Sequence, residues 1–263
     1  MGYTEKQANA ELRKIVEGKL PATKAELTRI IENLSVEASG QKTVLYSGMD
    51  MNEIDKLTKD PKLRMLNNTE AYKFVSTLES NKDFIGAWKK ITGETNPNFN
   101  DYNSPVGKFI GGEDPVNGKP RKMGAWDIIS KNFVRETQGE VIALIGKNAK
   151  VGRVFFQTEF EALKHNSNVT KINGIDKLPY MLGLDIKDQY QLDKMKLESR
   201  AILLSGKNIS DITQKDMEAI LKNKEFAESF KDIVAKYKPE ELPKFYKHLK
   251  KIGTLGVILG LST

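Results

Sequence analysis

The sequence predicts an α+β fold in which a small sheet and its helices are preceded by a helical hairpin and followed by a helical extension. Three observations carry this. Apolar residues at helical spacing fill the first forty positions, with Leu12, Ile15 and Val16 in one stripe and Leu27, Ile30, Ile31 and Leu34 in a second. Short β-prone runs at 43–47, 141–145 and 153–157 are confined to the middle of the chain. From about residue 186 the text turns lysine-rich and helical. The expected division is therefore a helical segment at 1–40, a mixed α+β core at 41–185 and a helical region at 186–263.

The elements follow in order. Helices are expected over 5–17 and 22–38, punctuated by Gly18 and Pro21 and ended by Ser39-Gly40. A strand at 43–47 stops at Gly48, and a helix near 51–58 is broken by Pro61. Residues 69–80 carry Tyr72, Val75 and Leu78, or Phe74 and Leu78, at helical spacing. The stretch 93–123, with its Asn-Pro-Asn, Gly-Gly-Glu-Asp-Pro and Asn-Gly-Lys-Pro runs, reads as irregular: a lid, a pocket wall or a mobile insertion. A helix over 125–137 then leads to strands at 141–145 and 153–157, joined by the polar loop 146–152. Helices are expected at 216–221, 226–237 and 242–252, with Pro239 and Pro243 between the last two. The Gly-containing apolar run 252–261 falls short of the ~20 residues that span a bilayer, and reads as a buried C-terminal segment.

Composition narrows the chemistry. A length of 263 residues fits one large domain, or a catalytic domain with helical additions. The charge of +7, from 42 Lys+Arg against 35 Asp+Glu, is modest at this length, and aromatics interleaved with basic residues are sparse, so nucleic acid is not an expected partner. The chain has no cysteine, which excludes disulfides, thiolate catalysis and cysteine metal sites. Two histidines, His165 and His248, supply a catalytic triad or a histidine metal centre poorly, and no metal site is expected. The first residues contain no apolar signal core, and Lys6 stands where myristoylation needs Ser or Thr. Catalysis, if present, falls to carboxylates, hydroxyls and aromatics.

Residues of these types gather between Trp126 and Leu163. Glu159 follows the apolar run Val154-Phe155-Phe156, where a strand-end carboxylate points into a cleft or simply into solvent. Glu161 shares its face in a strand and diverges from it in a helix. Trp126 and Ser130, four residues apart, share one helical face, as a core contact or as a pocket wall. The residue types alone leave both readings open.

Taken together, Tyr46-Ser47 at a strand end, Leu66-Asn67-Asn68-Thr69, Trp126-x3-Ser130-x2-Phe133 and Phe155-x3-Glu159-x3-Leu163 resemble the ADP-ribosyl cyclase/NAD glycohydrolase family. The resemblance covers about residues 43–175, and the order of the four pieces is that of the family. It implies an ADP-ribosyl cyclase-like core and cleavage of the nicotinamide–ribose bond of NAD+, which is substrate and not cofactor; no cofactor or metal is implied. Glu159 takes the place of the catalytic carboxylate, and Trp126 that of the ring stacking on nicotinamide. Tyr46 stands for a family tryptophan beside Ser47. Ser130 is placed to contact ribose or phosphate, and Phe155 to line the pocket. Asn67-Asn68 replaces a Glu-Asp pair, which leaves the balance of hydrolysis and cyclisation open, and Gly48 replaces a basic residue. The pyrophosphate would then fall to Arg153, Lys147 or Lys150.

The resemblance also implies a secreted toxin or effector, delivered into a target cell's cytosol to deplete NAD+, with a cognate inhibitor or immunity protein as partner and no stable membrane insertion. Two alternatives stand beside it. One is a mono-ADP-ribosyltransferase using Glu159-Phe-Glu161, although the arginine that such enzymes carry on a first strand is not found at Tyr46-Ser47-Gly48. The other is a non-enzymatic helical interaction protein, in which Trp126 is buried and Glu159 is solvated.

Overall fold

The computed structural model describes residues 2–114, 121–150, 154–182 and 189–236. In chain order these form α1 (Glu5–Val16), α2 (Lys24–Glu32), β1 (Lys42–Ser47), α3 (Met51–Thr58), β2 (Leu63–Met65), α4 (Glu70–Ser76), α5 (Lys82–Thr92), α6 (Pro105–Gly111) and α7 (Ala125–Arg135). Then come β3 (Gly139–Ile145), a π-helical turn (Phe155–Glu159) running into α8 (Phe160–His165), β4 (Val169–Ile172), β5 (Ile175–Asp176), α9 (Lys177–Leu182), α10 (Gln189–Ser205), α11 (Gln214–Ile220) and α12 (Lys224–Lys236). The fold is α+β, predominantly helical with a small mixed sheet. The chain divides into two units of interleaved segments. One comprises Met1–Thr43, Asp55–Thr137 and Gly152–Ser167; the other comprises Val44–Ile54, Gln138–Val151 and Asn168–Thr263.

In the first unit, α1 begins at a Thr4–Gln7 capping box and buries Ala8, Leu12 and Ile15. Thr23 caps α2, which buries Leu27, Ile30 and Ile31. This second helix ends at Glu32 and not near 38 as the apolar spacing suggests. Beyond it the chain is extended, bridged Tyr3 to Leu34, with Leu34 and Val36 buried at a spacing of two. The same apolar residues thus continue a helical stripe in sequence and serve a strand-like run in space.

The stretch expected to be irregular is more ordered than its Gly and Pro content suggests. Ser104 caps α6 with Pro105 at its first turn, and Gly112 ends it. A two-residue bridge then pairs Glu113 with Lys122. Trp88 and Phe84 on α5, a helix the sequence reading did not anticipate, pack on Phe109 of α6 at ring separations of 5.2 and 6.1 Å. The punctuating residues are therefore caps around a small aromatic cluster.

A second correction concerns 153–157. The described part of this run is not a strand: Val154 is helical, and Phe155–Glu159 form a π-helical turn closed by the Phe160 N–H donating to the Phe155 carbonyl. Phe155, Phe156, Thr158, Glu159, Phe160, Ala162 and Leu163 are all buried. A short run of adjacent apolar residues carries no period of its own, so pairs of aromatics suit a widened helical turn as well as a strand.

In the second unit the strands lie in the order β1-β3-β4-β5, with β3 and β4 parallel and β4 and β5 antiparallel. The β4–β5 hairpin turns at Asn173-Gly174, with φ of +53° and +81°. Asn173 also donates to the Ala143 carbonyl and accepts from its N–H, extending the ladder with a side chain. Helix α10 lies along β3, where Ser199 accepts from the Ile145 N–H at 2.7 Å, and α11 and α12 pack on α10. The expected helices at 216–221 and 226–237 correspond to α11 and α12. The expected helix at 242–252 and the apolar run 252–261 lie outside the described residues. Among the described residues no helix is long and apolar enough to cross a membrane.

Candidate functional site

The helix that carries Trp126 and Ser130 is anchored at its first turn. Its N-cap is Gly124, whose N–H donates to Asp127 Oδ2 at 3.0 Å. Asp127 is fully buried and also takes the Arg121 Nε on both oxygens, at 2.9 and 3.2 Å, and the Thr158 hydroxyl at 2.6 Å. Arg121 is nearly as buried; it reaches Asp114 at 2.5 Å and donates to the Gly111 carbonyl. The approach requires glycine at 112, where φ is +77° and a Cβ would lie 2.6 Å from Asp127 Oδ2.

From this base α7 presents Ser130 to the π-helical turn. Ser130 and Glu159 are both buried, at 4% and 7% exposure, and the Ser130 hydroxyl is the polar group that favours the ionised Glu159 carboxyl. Burial pushes the Glu159 carboxyl up to about 7; the Ser130 hydroxyl pulls it the other way and the Asp127 charge adds to the rise. Glu159 is thus not a solvated surface charge. Glu161, two residues on, is exposed and paired with Lys164 at 2.6 Å, so the two carboxylates diverge as a helix dictates.

Trp126 is half-buried and packs on Tyr72 of α4, with ring centroids 5.4 Å apart and planes tilted by 58°. Tyr72 follows the Leu66–Asn68 turn, and its N–H is capped by the Thr69 hydroxyl at 3.1 Å. Two of the sequence motifs are therefore joined through α4 and α7. Asn67 is half-buried within that turn. Phe133 is wholly buried beneath the Arg64 guanidinium at 4.1 Å. Phe155 is buried edge-on to Phe156 at 4.9 Å and near Phe160 at 6.5 Å.

Tyr46 and Ser47 belong to the second unit, half-buried at the end of β1. The Ser47 carbonyl accepts from the Gly146 N–H at 2.8 Å. Gly48, with φ of +64°, has no room for a side chain because the Ala149 backbone fills it. That contact accounts for glycine at this position. The same unit holds a cavity of about 540 Å³ between the ends of β1 and β3 and the helices α10 and α12. Lys147 lines it, and Arg200 crosses it to Glu53 at 2.6 Å and Glu225 at 3.4 Å. Lys150 is exposed, and Arg153 lies outside the described residues.

Sequence reasoning overlooked Asp127, Arg121 and Tyr72. The Gly124-x2-Asp127 spacing was a legible signal for a helix start, whereas nothing in the sequence marks Arg121 as the buried partner. Among the described residues no group of three or more His, Asp or Glu is placed to hold a metal ion. No family model matches the chain, and neither the curated proteins nor the solved structures provided a match.

Proposed function

We propose that this chain is an NAD+ glycohydrolase that cleaves the nicotinamide–ribose bond to give nicotinamide and ADP-ribose. The observation that carries the reading is a buried carboxyl, Glu159, on the turn packed against α7, the helix that carries Trp126 and Ser130 one turn apart. A carboxylate with little competing water stabilises developing positive charge far better than an exposed one. As the C1′–N bond breaks, the bonding pair leaves with nicotinamide, which becomes neutral, and the ribosyl carbon gains cationic character opposite Glu159. Water then attacks that carbon and loses its proton. Before cleavage the nicotinamide ring is itself cationic, and it would stack on the half-buried indole of Trp126, held by Tyr72. Ser130 holds the carboxylate while it faces the ribose.

A fate for the ribosyl cation other than hydrolysis belongs to the same chemistry: attack by the adenine of the same molecule gives cyclic ADP-ribose. Hydrolysis is placed first and cyclisation second, and with Asn67-Asn68 where an acidic pair would stand the balance between the two is read from the products. It extends to a toxin or effector that drains NAD+ from the cell it enters, countered by an immunity protein.

The decisive experiment incubates the purified protein with NAD+ and resolves nicotinamide, ADP-ribose and cyclic ADP-ribose by chromatography. Nicotinamide release is expected, falling about 100-fold or more in Glu159→Gln; in Trp126→Ala, KM is expected to rise about 10-fold. A wild-type protein that leaves NAD+ intact would end the proposal. Labelling of an added protein in place of free ADP-ribose would redirect it to transferase chemistry.

A further inference from the structure

We propose that Arg121 and Asp127 are positioning residues for Glu159, an ion pair at the foot of α7 that holds the π-helical turn through Thr158 and so aims the carboxyl at Ser130. This rests on the reading of Glu159 as the catalytic carboxylate. Helix capping needs only one of the contacts Asp127 makes, that from the Gly124 N–H at 3.0 Å. The other donors come from outside α7. Arg121 Nε reaches both oxygens, and the Thr158 hydroxyl reaches Oδ1 at 2.6 Å.

The Thr158 bond is informative because a helical hydroxyl has a local alternative. Elsewhere in this chain Thr77, Thr92, Thr137 and Ser205 donate back to the carbonyl four residues earlier. Thr158 instead donates across to a buried carboxylate on another helix. It directly precedes Glu159, so the cross-link fixes the rotation of the turn that carries the carboxyl. Arg121 is immobilised in turn by Asp114 and by the Gly111 carbonyl at the end of α6. Three segments therefore converge on one carboxylate beside the site.

The pair also sets the field at Glu159. Of the side chains on the two helices packed against the turn, Glu161 and Lys164 are exposed and spent on each other, and Arg135 and His165 are exposed. Lys131 is half-buried on α7, and Asp127 is the charge felt at Glu159. Arg121 offsets that charge at a distance of 2.9 Å.

The test compares Thr158→Val, Thr158→Ser and Arg121→Gln in the full chain. Two readouts are used: nicotinamide release from NAD+, and direct carbon-13 titration of the Glu159 carboxyl by NMR, which needs no substrate. Thr158→Val is expected to lower kcat about 10-fold or more with KM little changed, and Thr158→Ser to restore it. Arg121→Gln leaves Asp127 uncompensated and is expected to move the Glu159 midpoint up by about half a pH unit or more. An unchanged kcat in Thr158→Val together with an unmoved Glu159 midpoint in Arg121→Gln overturns the proposal. If Arg121→Gln fails to fold, the Thr158 pair of variants decides. If Glu159 shifts as expected but wild type releases no nicotinamide, the NAD+ reading falls and the positioning of a buried carboxyl stands.

Discussion

Glu159 meets two opposed demands. Charge stabilisation needs the carboxylate, while burial favours the neutral acid and holds the group up to about 7. On the proposed NAD+ glycohydrolase reading, kcat/KM of the free protein should therefore rise with pH and reach half its plateau near pH 7, because only the ionised form would oppose the ribosyl cation. A pH–rate series with NAD+ at limiting concentration checks this; a rate already flat from pH 5 would show that Glu159 is not the titrating group. The same burial costs stability. The unfolded glutamate loses its proton near 4.5 and the folded one near 7, so the folded state is penalised progressively between these values and fully above them. Glu159→Gln should thus unfold at higher denaturant concentration than wild type at pH 8, by up to about 3 kcal/mol, and show no gain at pH 4. What was legible here was residue identity and order. The burial of Glu159 was not, because it depends on the π-helical turn packing against α7, a contact that no joint signal in the sequence marks.

Elements were legible where the pattern was long and capped. α1, α3 and α7 and the strands β1 and β3 carry periodic apolar residues bounded by Thr4, Pro61, Gly124 and Gly146, and they fall within a few residues of the expected positions. The failures were α5, a capped helix that was not anticipated, and two shorter runs. Two adjacent phenylalanines read as a strand became a π-helical turn, and a Gly- and Pro-rich stretch contained α6. The turn has a direct consequence for its residues. A π-helical turn contains one residue more than a regular helical turn, and each residue rotates a helix by about 100°. Deleting Gln157 should let the segment relax to an ordinary α-helix while swinging Thr158 and Glu159 away from Phe155 and Phe156. Retained helical circular dichroism with loss of nicotinamide release is the expected result; retained activity would mean that the widened turn does not aim the carboxyl.

At the scale of the whole molecule, each unit contains, among the described residues, one buried carboxyl of raised proton affinity. Glu198 on α10 matches Glu159: burial pushes it up to about 7, with Lys194 at 3.8 Å only partly offsetting this. Glu11, Glu70, Glu113 and Asp216 shift the opposite way, held below the usual carboxylate range chiefly by hydrogen bonds from Lys14, Lys73, Lys122 and Lys207 respectively. Their contribution is lost only in acid, below the unfolded value, whereas the penalties on Glu159 and Glu198 grow from there to neutrality. Thermal stability should accordingly peak near about pH 5 and decline toward pH 8, as melting temperatures across that range will show; a profile rising from pH 5 to 8 would contradict it. The division of the chain adds a consequence in time. Because the segments alternate, the first unit is complete only with Gly152–Ser167, and the second begins at Val44 yet needs residues after Asn168. A nascent chain that has passed Thr137 thus owns Trp126 and Ser130 without their carboxylate, and neither unit is available to any single truncation. Synthesis must run well past the middle of the chain before long-range contacts can close the first unit, which favours slow, late folding over sequential domain-by-domain assembly.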